Sequence, residues 1–118
     1  MTMRPSRGLP SDLWLKSPIA ALDYEIAQEK ASALGRLGRA LEAALQVLAE
    51  FDTAHPSPAP VERQARSNLV ATAGHVLWQF IVQREACGLR DAGSVMRMYR
   101  VPAEVRDRMG SFPAGRSR

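Results

Sequence analysis

Residues 53–60 read TAHPSPAP, and this proline-rich octet decides the fold through what lies on either side of it. The eight prolines fall in residues 5–18, 56–60, 102 and 113, so residues 19–55 and 61–101 contain none. A proline inside a helix costs about 3 kcal/mol, because it lacks an N–H and its ring clashes with the preceding turn. Two long proline-free stretches joined by a stiff, extended turn therefore predict a long antiparallel helical hairpin, with helices at about 18–53 and 60–88.

Moving toward the N-terminus, Ser17–Pro18 is a helix start: the serine hydroxyl caps free N–H groups, and proline at the first helical position gives up a hydrogen bond that did not exist. Leu22, Ile26, Ala33, Leu37, Leu41, Ala44, Leu48 and Phe51 recur every three or four residues and form one apolar stripe that is expected to pack. Beside it runs a line of small residues, Ala27, Ala31, Gly35 and Gly38, suited to a close helix crossing within or between subunits. Residues 1–16 lack sustained periodicity and read as a flexible arm anchored by Leu13, Trp14 and Leu15.

Toward the C-terminus, Leu69, Val70, Ala73, Val76, Leu77, Phe80 and Ile81 make a broad apolar face on the second helix, opposite Gln64, Asn68, His75 and Gln79. One antiparallel neighbour covers only a narrow seam, so this face needs a second cover, from the C-terminal helices or from another subunit. Gly88 is placed to end the helix in a left-handed cap. Two short helices are expected after it, at about 91–99 and 102–109, started by Asp91 and Pro102 and held together by Val95, Met98, Val105 and Met109. Residues 17–110 thus read as a single all-α domain and 111–118 as a disordered tail.

Composition agrees with this plan. The 118 residues are 46% apolar but only 6% aromatic, a mixture leaning on Ala, Leu and Val that favours helix over sheet. No stretch approaches the roughly 20 apolar residues of a membrane span, and the N-terminus lacks the apolar run of a secretory leader. Cys87 is the sole cysteine and has no internal disulfide partner, which fits a cytoplasmic location. The net charge of +4 is uneven: the first helix is acidic and both ends of the chain are basic.

The residues that carry chemistry are few. With the turn centred near residue 57, Lys30 lies level with Arg84, and Asp23, Lys30 and Arg84 interrupt the apolar seams as a polar layer or anion site. A buried charge needs a partner, so Asp23, Glu25 or Glu29 is expected to accept from Arg84. Segment 91–109 has the outline of a helix-turn-helix with Arg97, Arg100, Arg106 and Arg108 available for phosphates, although Glu104 and Asp107 oppose DNA on the same helix and Arg100 stands where glycine would relieve a positive φ. His55, His75 and Cys87 lack metal-ligand spacing, and no nucleophile, base and orienter come together, so no catalytic residue, metal or cofactor is expected. LGRLGR lies inside a helix and is not a phosphate loop.

Three blocks, LDYEIAQEKASALGRLGRALEAAL, QREACGLRD and YRVPAEVRDRMG, together resemble a family of short, uncharacterised bacterial helical proteins of unknown function. The resemblance covers about half the chain; it implies a helical fold and supplies no activity or site residues. The reading that follows is a non-enzymatic structural or protein-interaction module that assembles as a homodimer or higher homo-oligomer. The alternative is a small DNA-binding regulator using segment 91–109.

Overall fold

A computed structural model describes residues 17–110, and in them the chain forms four helices: α1 (Pro18–Ala54), α2 (Pro60–Ala86), α3 (Ala92–Met98) and α4 (Ala103–Asp107). The fold is all-α, with no strand among the described residues. The expected N-terminal arm with its Leu13–Leu15 anchor and the expected tail 111–118 lie outside them. The described residues fall into two compact units, 17–32 and 33–110, and the apolar core belongs to the second.

Local chemistry sets the helix limits. Ser17 Oγ accepts from the Ala20 N–H at 2.9 Å, with Pro18 at the first helical position of α1. Helix α2 opens with Pro60 after Ala59, whose N–H donates to Glu62 Oε1 at 2.8 Å, an acceptor placed in the positive first turn. It ends as a Schellman turn: the Leu89 N–H reaches the Arg84 carbonyl at 2.8 Å and the Gly88 N–H reaches that of Glu85 at 3.0 Å, with Gly88 at φ +86°. Asp91 caps α3 by accepting from the Ser94 N–H. That helix closes on the same motif, Val101 bonding to Met96 at 3.0 Å, but its left-handed residue is Arg100, at φ +52°. The strain flagged in the sequence at this turn is therefore present, at about 1 kcal/mol relative to glycine.

The two long helices pack antiparallel. Asp52 meets Arg66 near the turn, and farther from it Gly38 lies under Phe80. These pairs centre the hairpin on Ala59 rather than near residue 57, so Arg84 is level with Leu34, one helical turn from the expected Lys30. Leu41 and Leu48 of α1 join Val70, Ala73, Leu77, Phe80 and Ile81 of α2 in one buried cluster with Val95 and Val105. Removing a leucine or valine of this kind from water stabilises by about 1.5–3 kcal/mol.

Helix α2 receives its second cover from its own chain. Helix α4 packs against it through Val105, which is fully buried, while Val95 and Tyr99 of the α3 region close over Phe80, the two rings meeting edge to face at 5.5 Å. The breadth of the α2 face is therefore no argument for a partner subunit. Two further expectations are corrected. Met98 points outward at 70% exposure, because α3 turns inward the face made by Ala92, Val95, Met96 and Tyr99. Leu22 and Ile26, drawn into the packed stripe, are 56% and 45% exposed; a stripe along the 37 residues of α1 is longer than the 27-residue α2 can cover.

Two glycines permit the close approaches. A Cβ at Gly74 would stand 2.8 Å from Arg108 Cβ and 3.0 Å from its carbonyl carbon, so only glycine lets the end of α4 rest on α2. At Gly38 a Cβ would meet Tyr99 Oη at 3.0 Å and Phe80 at 3.5 Å. Gly35 faces only the mobile end of Arg39, at 3.4 Å. Helix propensity favours alanine at all three by about 1 kcal/mol, so packing decides the sign. Gly35→Ala should raise stability by up to about 1 kcal/mol, and Gly74→Ala should lower it by about 1–3 kcal/mol by prising α4 away. Denaturant unfolding of the two variants measures both, and a stabilised Gly74→Ala would contradict the contact.

Candidate functional site

The most organised polar feature is a guanidinium that joins three helices. Arg66 on α2 donates from Nε to Asp52 Oδ1 at 2.6 Å and from Nη2 to Asp52 Oδ2 at 3.0 Å, reaching the last turn of α1. Its Nη1 and Nη2 donate to Glu104 Oε1 and Oε2 of α4 at 2.9 and 2.6 Å. Two carboxylates are thus held in bidentate fashion, a geometry only arginine provides. Hydrogen bonding to Arg66 lowers the pKa of both carboxyls from the ordinary carboxylate range, against a smaller opposing effect of desolvation. The Arg66 guanidinium is correspondingly raised. Nothing in the sequence spacing links Asp52, Arg66 and Glu104, which is why they were missed.

Beside this node lies a cleft of about 380 Å³ bounded by Pro58, Arg63, Arg66, Ser67, Glu104 and Arg108. Arg63 leans across the linker, donating from Nη1 to the Pro58 carbonyl at 3.0 Å. Arg108, expected to point outward for phosphates, is half-buried in this cleft with its backbone against Gly74. On the far side of the corner an open groove of about 920 Å³ runs between Glu42, Leu45 and Gln46 of α1 and the Met98–Arg100 turn.

The remaining candidates do not gather at one place. Asp23 and Lys30 are exposed on α1, as are Ala27 and Ala31 of the small-residue line, whereas Gly35 is half-buried and Gly38 buried. Arg84 bonds within its own corner: Nη2 donates to Ser94 Oγ at 3.3 Å and to the Asp91 carbonyl at 3.5 Å, the guanidinium lies 5.9 Å from the Phe80 ring, and Nε is buried without a partner. Arg97 and Arg106 are exposed, each 3.8 Å from a neighbouring carboxylate, Asp91 and Asp107. Arg100 is exposed in the turn. His55 stacks on Phe51 at 4.1 Å and His75 on Trp78 at 6.2 Å. Among the described residues no three His, Cys, Asp or Glu side chains stand together as a metal site, and no helix is long and apolar enough to cross a membrane.

Two outcomes follow for stability. The Asp52 and Glu104 side chains are nearly half exposed, which discounts their pairing with Arg66. Arg66→Met, which leaves the two carboxylates facing each other, should cost about 1–2 kcal/mol. Because both carboxyls titrate lower in the folded chain, the unfolded chain takes up protons first as pH falls. Their contribution is complete above about pH 5 and is lost progressively as pH falls through the unfolded values near 4 toward the lowered folded ones. Melting curves from pH 7 to 3 should therefore show a shallower acid limb in Arg66→Met than in the wild type; superimposable limbs would refute the pairing. Arg84→Met should change stability by less than about 1 kcal/mol, since two long hydrogen bonds and a cation–π contact are offset by relief of the stranded Nε. A loss of cooperative unfolding in that variant would restore Arg84 as a register device.

Neither the curated proteins nor the solved structures gave a match to this chain. The profile of one family, described as a family of unknown function (DUF6665), matches residues 1–117. An all-helical chain matched over that length belongs to this family of unknown function.

Proposed function

We propose that the chain is a non-enzymatic helical interaction module that pairs with a second copy of itself through the N-terminal part of α1. The observation that carries this is Ile19, Leu22 and Ile26, three aliphatic side chains at helical spacing that are 74%, 56% and 45% exposed. They share one face of α1 and stand among Asp23, Glu25 and Glu29. A second copy is the chosen occupant because residues 1–18, which adjoin this face in the sequence and carry +3 and −1, complement the acidic α1 of the other chain when the two faces meet. Catalysis is left out because the histidines are engaged in stacking, His55 also hydrogen-bonding through Nδ1 with the Phe51 carbonyl. The single cysteine supports a cytoplasmic setting.

Magnitudes make this a weak pair. Six half-exposed aliphatic side chains, three from each copy, offer about 6–9 kcal/mol on burial, and association costs at least about 4 kcal/mol. The DNA-binding reading draws less support. Helix α4 is five residues long, its Val105 is buried against α2, and Glu104 is locked to Arg66.

Sedimentation velocity should show a dimer that dissociates on dilution, and Leu22→Asp with Ile26→Asp should give a monomer that melts at an unchanged temperature. The pairing is proposed at the upper end of the range these magnitudes leave, a net association of about 5 kcal/mol that is half complete at a few hundred micromolar, and a wild-type chain that stays monomeric there refutes it. A double variant that unfolds instead would show that the face is covered by its own chain.

A further inference from the structure

The cleft beside Arg66 goes beyond the interaction reading. We propose that it binds a small phosphate-bearing anion, with Arg63 and Arg108 as its grips and Ser67 as a hydroxyl partner. The cleft is open to solvent and, at about 380 Å³, falls in the size range of small-ligand sites. Arg63 and Ser67 lie one turn apart on α2 and line it together. Arg63 is held across the linker through one amino group on the Pro58 carbonyl, which orients the guanidinium and leaves its other N–H groups for a ligand.

Arg108 is the more telling residue. It is half-buried, its backbone is pinned under Gly74, and its side chain has no hydrogen-bond or ion-pair partner among the described residues. An arginine rooted in this way and left without an anion presents a planar set of donors that matches phosphate oxygens two at a time. Arg66 takes no direct part, since its donors are committed to Asp52 and Glu104. Its single charge offsets one of those two carboxylates, and with Arg63 and Arg108 the group of five side chains carries one net positive charge. Pro58 and Val70 supply the apolar part of its lining. Two arginines and one hydroxyl suit a single phosphate group, whereas duplex binding draws on many cations along the backbone.

The test is a titration of the ¹⁵N-labelled full-length chain with inorganic phosphate and with pyrophosphate, at constant ionic strength. The Ser67 and Arg108 amides should shift and saturate, with half-saturation at or below about 5 mM. Arg63→Met and Arg108→Gln should each weaken binding at least about fivefold, the effect of losing one charge-assisted contact, while Arg97→Met should leave it unchanged. Arg63 is exposed, so its variant keeps the proposal open to refutation even if Arg108→Gln fails to fold. Linear shifts, equal responses at Arg97 and Arg106, or undiminished binding by Arg63→Met would overturn it. So would duplex DNA retention that Arg63→Met abolishes without any saturable phosphate binding, since these arginines would then serve nucleic acid.

Discussion

Helix α2 has more apolar surface than one antiparallel neighbour can hide, and the rest of the structure answers that constraint. Leu77 and Ala73 are fully buried, and they are buried on two sides: by Leu41 and Leu48 of α1, and by Val95, Tyr99 and Val105 of the C-terminal corner. A hairpin alone would leave a strip of α2 in water at about 25 cal/mol per Å². The corner exists to cover it, which explains why two helices of seven and five residues, too short to be stable alone, hold a defined place.

Close cover requires absent side chains and opposed charges. Gly74 brings the backbone at Arg108 onto α2, and Gly38 opens the space filled by Phe80 and Tyr99. At the rim Arg66 ties the last turn of α1 and the first turn of α4 to α2 in one bidentate pair of contacts. The glycines set how near α4 comes and the arginine sets its position along α2. The same arrangement makes the cleft, because an α4 held at that distance and register leaves Arg108 lining one surface with Arg63 and Ser67.

The polar groups of the corner divide by how fully they are partnered. Arg66 is satisfied, Arg97 and Arg106 have long surface pairings, Arg84 carries a stranded Nε, and the Arg108 side chain has no partner among the described residues. Exposed apolar side chains are spread along the described helices, Val61 and Met98 among them, and Ile19, Leu22 and Ile26 are three that share one face at the start of α1.

The sequence by itself determined the helices and their ends. Proline placement, the Ser17, Asp91 and Gly88 caps and the 3.6-residue periodicity act over a few residues, and α1 and α2 start where they indicate. The strained turn at Arg100 was legible for the same reason. Tertiary structure alone decided which helix covers α2, the hairpin register, and the meeting of Asp52, Arg66 and Glu104, residues 14 and 38 positions apart in the chain. It also moved Met98 outward and Arg108 inward. Facing pairs depend on how deeply side chains interlock across a seam, and a shift of one helical turn, which periodicity leaves open, exchanges every partner along it.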